Sequence, residues 1–322
     1  MGSITASRPF PPGIHVPSLT WFRDTAAQEI DWDVQRTHFQ FLATSGLHGI
    51  VIAGTNGEAV TLSPDEKTQL VQEARAAATA AQSDLVITVG CGGQSTHQVL
   101  AETKVAAAAG ADFALVLVPS YFHFAMTAAA IVDFFEALAS AAPLPVLIYN
   151  FPGVVAGLDV DSDMLARLGR HPNIVGVKLT CGGIAKVARV RAEFAPEAFC
   201  ALAGQSDWLL PALAVGSTGA ITGVANLYPR VCVAIYDAYQ RGDVAAAEAM
   251  QLRLAAMEWG FAKGGINGTK WVVASIRGYP LASCHCRRPY PPFSDSTKQE
   301  WIQGVVGPLA AEEAKLVAAA KK

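Results

Sequence analysis

The chain of 322 residues is expected to fold as an α/β protein, a (β/α)8 barrel with a small helical region at its C-terminal end. Three observations predict this. Eight short apolar runs recur before residue 226; each is apolar throughout rather than alternating; and Ala-rich stretches with helical periodicity separate them. Strands that are apolar on both faces belong to parallel sheets covered by helices. Eight such units suffice to close a barrel.

The runs, in order, are IHVPSL (14–19), GIVIAG (49–54), LVITVG (85–90), FALVLV (113–118), PVLIYN (145–150), IVGVKL (174–179), FCALAG (199–204) and TGAITG (218–223). The helical stretches are 31–45, 64–82, 95–109, 127–141, 161–170, 184–194 and 206–215. One helix start is well marked: Ser63 as N-cap, Pro64 as first helical residue and Glu66 as capping-box partner. After 225 the β signals cease. Residues 226–322 read as helical, with a Gly-, Pro- and aromatic-containing interruption at 259–293 and an Ala-, Glu- and Lys-rich tail. The expected organisation is a mobile Pro-rich lead-in at 1–13, a barrel at 14–225 and a helical region at 226–322. An open doubly wound sheet is the alternative, but GCGGQS (90–95) has Ser95 where a dinucleotide-binding G-x-G-x-x-G turn ends in glycine.

Composition narrows the function. Apolar residues make up 52%, enough for a large core, and the net charge of -3 shows no basic excess that would suit nucleic acid. No apolar run reaches the roughly 18 residues of a membrane span. The first 13 residues have no apolar core of a secretion signal, and Ala6 stands where a myristoylation pattern needs Ser or Thr. The expected compartment is the cytoplasm, with reduced thiols at Cys91, Cys181, Cys200, Cys232, Cys284 and Cys286. Cys284-His285-Cys286 has no second ligand pair with zinc-like spacing, so no metal is expected.

In a barrel, chemistry gathers where strands end and the following loops begin. The unusual residues fall there: Gly54-Thr55-Asn56-Gly57-Glu58 after the second run, Tyr121 after the fourth, Tyr149 in the fifth, Lys178 in the sixth, Gly204 ending the seventh and Ile221 in the eighth. Side chains alternate along a strand. Ile174, Gly176, Lys178 and Thr180 would share the inward face, with Val175 and Val177 against the helices. Gly176 would leave room beneath the lysine. An amine in a dry pocket is easier to find unprotonated and nucleophilic. It can attack a ketone to form a Schiff base, whose iminium withdraws electrons from a breaking carbon–carbon bond. Tyr149 could shuttle the proton, given hydroxyl partners such as Thr55 and Tyr121. Each residue has a plainer reading: a solvated strand end for Lys178, a core or rim residue for Tyr149, a structural acid for Glu58. Their convergence on one face of the barrel favours the chemical one.

G-T-N-G-E (54–58), Y-N-F-P-G (149–153) and G-V-K (176–178), in this order over roughly 14–310, resemble the motifs of the dihydrodipicolinate synthase / N-acetylneuraminate lyase family of class I pyruvate aldolases. The resemblance implies a pyruvate Schiff base on Lys178, with no cofactor beyond that covalent imine. It implies proton transfer by Tyr149, and carboxylate binding by the Gly54–Gly57 loop through Thr55 and Asn56. Tyr121 is similar to a second tyrosine that acts across a subunit contact, and Ile221 to a residue whose backbone lies near the imine. A homotetramer built as a dimer of dimers is implied, with a small keto acid and an aldehyde as partners.

The departures bear on substrate. The family's synthases carry an arginine two residues after the proline of Y-N-x-P, where Val154 stands here; its absence removes a clamp for a distal carboxylate. Asn56 with GLDVDSDMLARLGRHPNIVGVK resembles the 4-hydroxy-2-oxoglutarate aldolase branch. KLTCGG (178–183) resembles fungal 2-keto-3-deoxy sugar-acid aldolases of galacturonate catabolism. The expected reaction is cleavage of L-threo-3-deoxyhexulosonate to pyruvate and an aldehyde such as L-glyceraldehyde, with Thr180 contacting a substrate hydroxyl. Release of glyoxylate from 4-hydroxy-2-oxoglutarate is the alternative. A non-catalytic keto-acid-binding barrel is the reading from another class.

Overall fold

In the computed structural model, which describes residues 8–320, eight parallel strands close into a barrel. They are β1 (Gly13–Pro17), β2 (Gly49–Ile52), β3 (Val86–Cys91), β4 (Phe113–Leu117), β5 (Val146–Asn150), β6 (Ile174–Leu179), β7 (Cys200–Ala203) and β8 (Gly219–Ile221). β1 pairs with β8 through Gly13↔Gly219 and His15↔Ile221, which removes both sheet edges. The helices are α1 (Trp32–Ala43), α2 (Pro64–Ala80), α3 (Thr96–Ala109), α4 (Ala128–Ala141), α5 (Ser162–Leu168), α6 (Ile184–Glu193), α7 (Leu209–Ala214), α8 (Pro229–Gln240), α9 (Val244–Arg277), α10 (Ser296–Val306) and α11 (Ala310–Ala320). Among the described residues no helix is long and apolar enough to cross a membrane.

Sequence chemistry starts the first five helices. Asp31, Ser63, Ser95, Thr127 and Asp161 each cap an N-terminus by accepting a backbone N–H. At Ser63 the capping box is complete: its hydroxyl accepts from Glu66 N, and Glu66 Oε2 accepts from Ser63 N at 2.8 Å. Burial does the rest. Ile14, Val16, Ile50, Ile52, Ile87, Val89 and Ile148 pack outward against the helices, while Val51, Val86, Leu115, Leu147 and Leu202 fill the barrel.

Four expectations about this architecture need correction. Residues 8–12 are not a loose lead-in. Phe10 is buried against His15 and Phe113, with ring centroids 4.7 and 4.9 Å away, and plugs the N-terminal end of the barrel. Burying one such ring contributes roughly 1.5–3 kcal/mol. The rest of the expected lead-in, residues 1–7, lies outside the described residues. The barrel also does not end at 225: α8 packs on α7 and β1 and is the eighth barrel helix. The interruption after 259 is narrower than expected. α9 runs to Arg277, broken only at Gly265 (φ 64°, ψ -166°), and the irregular stretch follows Gly278.

The fourth correction concerns β6. Its register with β5 slips between Val146↔Ile174 and Leu147↔Gly176, so a bulge resets the pleat. Ile174 and Val177 pack toward the helices, whereas Val175 faces the barrel interior. Gly176 still faces inward, but the space it leaves is taken: a Cβ there would lie 2.4 Å from the Cys200 thiol and 3.1 Å from Leu147.

Candidate active site

Lys178 lies inside β6, in register with Tyr149 on one side and Leu202 on the other, and is 4% exposed. The strand therefore carries a lysine in a dry place rather than ending at water. Its Nζ sits 4.1 Å from the centroid of the Tyr149 ring, a cation–π distance. Tyr149, itself 4% exposed, brings its hydroxyl to 3.2 Å from Thr55 Oγ1. Three residues separated by up to 123 positions thus form one short line: amine, aromatic ring with hydroxyl, threonine hydroxyl.

Thr55 is set by a tight turn. Gly57 N and Ala59 N donate to Gly54 O, Glu58 N donates to Thr55 O, and Thr20 Oγ1 donates to Gly57 O at 2.8 Å. Glu58 adopts the left-handed conformation (φ 57°), and its carboxylate is buried. Oε1 accepts from Lys270 Nζ at 2.7 Å and Oε2 from Arg287 N at 2.9 Å. Glu58 is therefore the structural acid of the plainer reading. Cys284-His285-Cys286 belongs to the same knot, because the carbonyl of His285 accepts from Lys270 Nζ at 2.8 Å.

A cavity of about 950 Å³ opens beside this line; Gly54, Thr55 and Tyr149 stand on its wall, with Val154, Ser120 and Asn267. The other expected site residues are outside that wall, Lys178 among them, which lies behind it against the Tyr149 ring. Asn56 lies against Gly223, two residues past the end of β8, where a Cβ would come within 2.4 Å of Asn56 Nδ2. Gly57 is buried inside the turn, and Ile221 is fully buried in the barrel interior. Thr180 packs on Gly204, where a Cβ would meet Thr180 Oγ1 at 2.3 Å. That hydroxyl is buried without a hydrogen-bond partner, and Thr180 is not among the residues of the cavity wall. Tyr121 is 74% exposed and stacks edge-on with Phe122; it does not reach Tyr149 within one chain.

Sequence reasoning missed a second buried polar line. Thr222 Oγ1, just after β8, donates to Ser206 Oγ at 2.8 Å, and Ser206 Oγ donates to Glu258 Oε2 of α9 at 2.6 Å. Burial pushes the Glu258 carboxyl up to about 8, against the opposing hydrogen bond from Ser206 and helped by the charge of Asp207. A carboxyl raised from its ordinary 4.5 holds its proton in the fold between the two values. Its contribution to stability is thus complete below about 4.5 and lost as pH rises through about 8. Glu258→Gln is expected to flatten that part of the stability profile. Unfolding midpoints across this pH range check it, and an unchanged slope contradicts the assignment.

Comparison with known proteins agrees with the geometry. A model of the dihydrodipicolinate synthetase family matches residues 12–305. A protein of Emericella nidulans described as a probable mitochondrial 4-hydroxy-2-oxoglutarate aldolase is 42% identical over 275 residues, covering 85% of this chain and 88% of its own. An L-threo-3-deoxy-hexylosonate aldolase of Hypocrea jecorina is 39% identical over 279 residues, covering 84% and 88%. Among solved structures, a dihydrodipicolinate synthase family protein from Coccidioides immitis superposes with a TM-score of 0.87 at 38% identity, covering 97% of this chain and all of that one. The mitochondrial designation of the Emericella relative overturns the expectation of a cytoplasmic protein, which rested only on the lack of an apolar core in the first residues. The closed barrel, the motifs in their order and these likenesses lead to one assignment: the chain belongs to the dihydrodipicolinate synthetase family.

Proposed function

We propose that the protein is a Schiff-base aldolase that cleaves a 2-keto-3-deoxy sugar acid, L-threo-3-deoxyhexulosonate, to pyruvate and L-glyceraldehyde. The amine of Lys178 attacks the C2 ketone and water leaves, giving an iminium. Tyr149, relayed by Thr55, takes the proton of the C4 hydroxyl. The C3–C4 bond breaks, its electron pair passes to the iminium as an enamine, and the aldehyde departs. Protonation at C3 and hydrolysis of the imine release pyruvate and restore the amine. The imine is the electron sink, so no cofactor takes part. The proton relay needs the 3.2 Å contact between Tyr149 and Thr55.

One observation carries the choice of substrate. Val154 stands on the cavity wall, and the one cation among the described lining residues, Lys67, is already held by Glu102 at 3.1 Å. A neutral polyol end suits such a wall; a second carboxylate would enter without a free cation. The reading as a 4-hydroxy-2-oxoglutarate aldolase has its own support in the 42% identity to the Emericella relative. Pyruvate release from each compound, measured in a coupled assay, decides between them. Faster release from the sugar acid supports the proposal, and faster release from the diacid replaces it. Val154→Arg is expected to shift the ratio of kcat/KM toward the diacid by ~10- to 100-fold, since one charge-assisted pair contributes about 1.5–3 kcal/mol. An unshifted ratio would mean that position 154 does not face the distal carboxylate.

The assembly we propose is a homotetramer in which Tyr121 completes a neighbouring subunit's relay. Its support is the exposure of the Tyr121, Phe122 and Phe124 side chains.

A further inference from the structure

We infer that Lys270, on α9 and far from the reacting atoms in sequence, is a positioning residue for Thr55. The inference rests on the aldolase reading above and concerns how its proton relay is held. Thr55 and Glu58 are two corners of one closed turn, joined by Glu58 N to Thr55 O at 3.0 Å. Glu58 occupies the left-handed region, which a residue with a side chain adopts only when its surroundings hold it there.

The hold comes from the C-terminal region. Lys270 is fully buried, follows the break in α9 at Gly265, and is paired at 2.7 Å with a Glu58 side chain that is 3% exposed. The ammonium's other neighbours are the His285 carbonyl and the Phe22 ring, whose centroid is 4.5 Å away. Arg287 N supplies the second donor to Glu58. The carboxylate is thus pinned by two partners more than 210 positions downstream, and the turn it anchors carries Thr55.

The relay has little slack. Its 3.2 Å separation is already longer than the 2.5–3.0 Å usual between hydroxyl oxygens. Loss of the ammonium would leave Glu58 a buried charge with a single backbone donor, and the turn would have to move to relieve it. A shift of a few tenths of an ångström would break the Thr55–Tyr149 hydroxyl contact and leave Lys178, whose amine lies over the Tyr149 ring, in place.

Two readouts on pyruvate alone separate this role from a structural one. Borohydride trapping requires only the imine on Lys178. Exchange of the pyruvate methyl protons with deuterated water also requires the acid–base relay. Lys270→Met is expected to keep trapping near the wild-type extent and to slow exchange by ~10-fold or more, within the range that acid–base groups contribute. The double variant Thr55→Ala/Lys270→Met is expected to exchange no more slowly than Thr55→Ala, because both changes remove the same contact. If Lys270→Met does not fold, Glu58→Gln/Lys270→Met removes both charges and leaves none unpaired; it still lacks the ion pair that pins the turn, so trapping kept with exchange slower than wild type is expected of it as well. Exchange at the wild-type rate, a loss fully additive with that of Thr55→Ala, equal loss of trapping and exchange, or failure of both variants to fold would each overturn the inference. A wild-type protein that neither traps nor exchanges pyruvate would overturn the aldolase reading itself, and this inference with it.

Discussion

Lys178→Ala is expected to remove turnover, lowering kcat by roughly 10⁴-fold or more, the scale seen when a covalent nucleophile is deleted. The reason is specific to this site. The amine is the only group in the line that can form a bond to the substrate. Tyr149 and Thr55 can move protons, but without the iminium the electrons of the breaking carbon–carbon bond have no sink. The fold should survive the change. Among the described residues no ion pair engages Lys178, so its removal leaves no buried carboxylate behind. This separates it from Lys270, the other buried lysine, which is paired with Glu58. Near-normal pyruvate release by a well-folded Lys178→Ala protein would end the Schiff-base mechanism.

Tyr149→Phe is expected to slow turnover by ~100-fold or more. The hydroxyl's hydrogen-bonding partner is Thr55, and the ring keeps its place under the amine and beside Phe151. Stability should therefore change little, and the imine should still form. Borohydride trapping retained with turnover lost is the expected signature. Loss of both together would mean that Tyr149 holds the amine rather than moving the proton.

Much of the fold was legible because it rests on local patterns. All eight apolar runs became strands, since a strand covered on both faces has no polar side to disguise it. Helix starts were legible where a capping residue stood before the helix, as at Ser63. Phe10 was not legible: a single ring in a Pro-rich segment has no period to mark it as core. The eighth barrel helix was assigned to the tail because no ninth strand follows it. The bulge in β6 leaves no trace in a run that is apolar at Ile174, Val175 and Val177 alike.

The site divides the same way. Lys178, Tyr149 and Thr55 stand out as reactive residues at the ends of apolar runs, and the structure brings them together. Thr180 follows the end of β6 at Leu179 and packs on Gly204, which continues the inward-facing positions Cys200 and Leu202 of β7. Glu58 and Lys270 are 212 positions apart, and no local rule pairs them. A signal was present: Lys270 sits among Trp271, Val272, Val273 and Ala274, in a helical run otherwise too apolar to face water. A lysine there needs a buried partner. The same reasoning drew attention to Lys178, and it applied with equal force to both.

The central claim is that the amine of Lys178 carries the substrate. The direct test is to add pyruvate and borohydride to the purified protein and to locate the adduct by peptide mass spectrometry. The expected result is a reduced pyruvyl adduct on the peptide containing Lys178, absent when either reagent is omitted. No adduct, or an adduct on another lysine with Lys178 unmodified, would contradict the account.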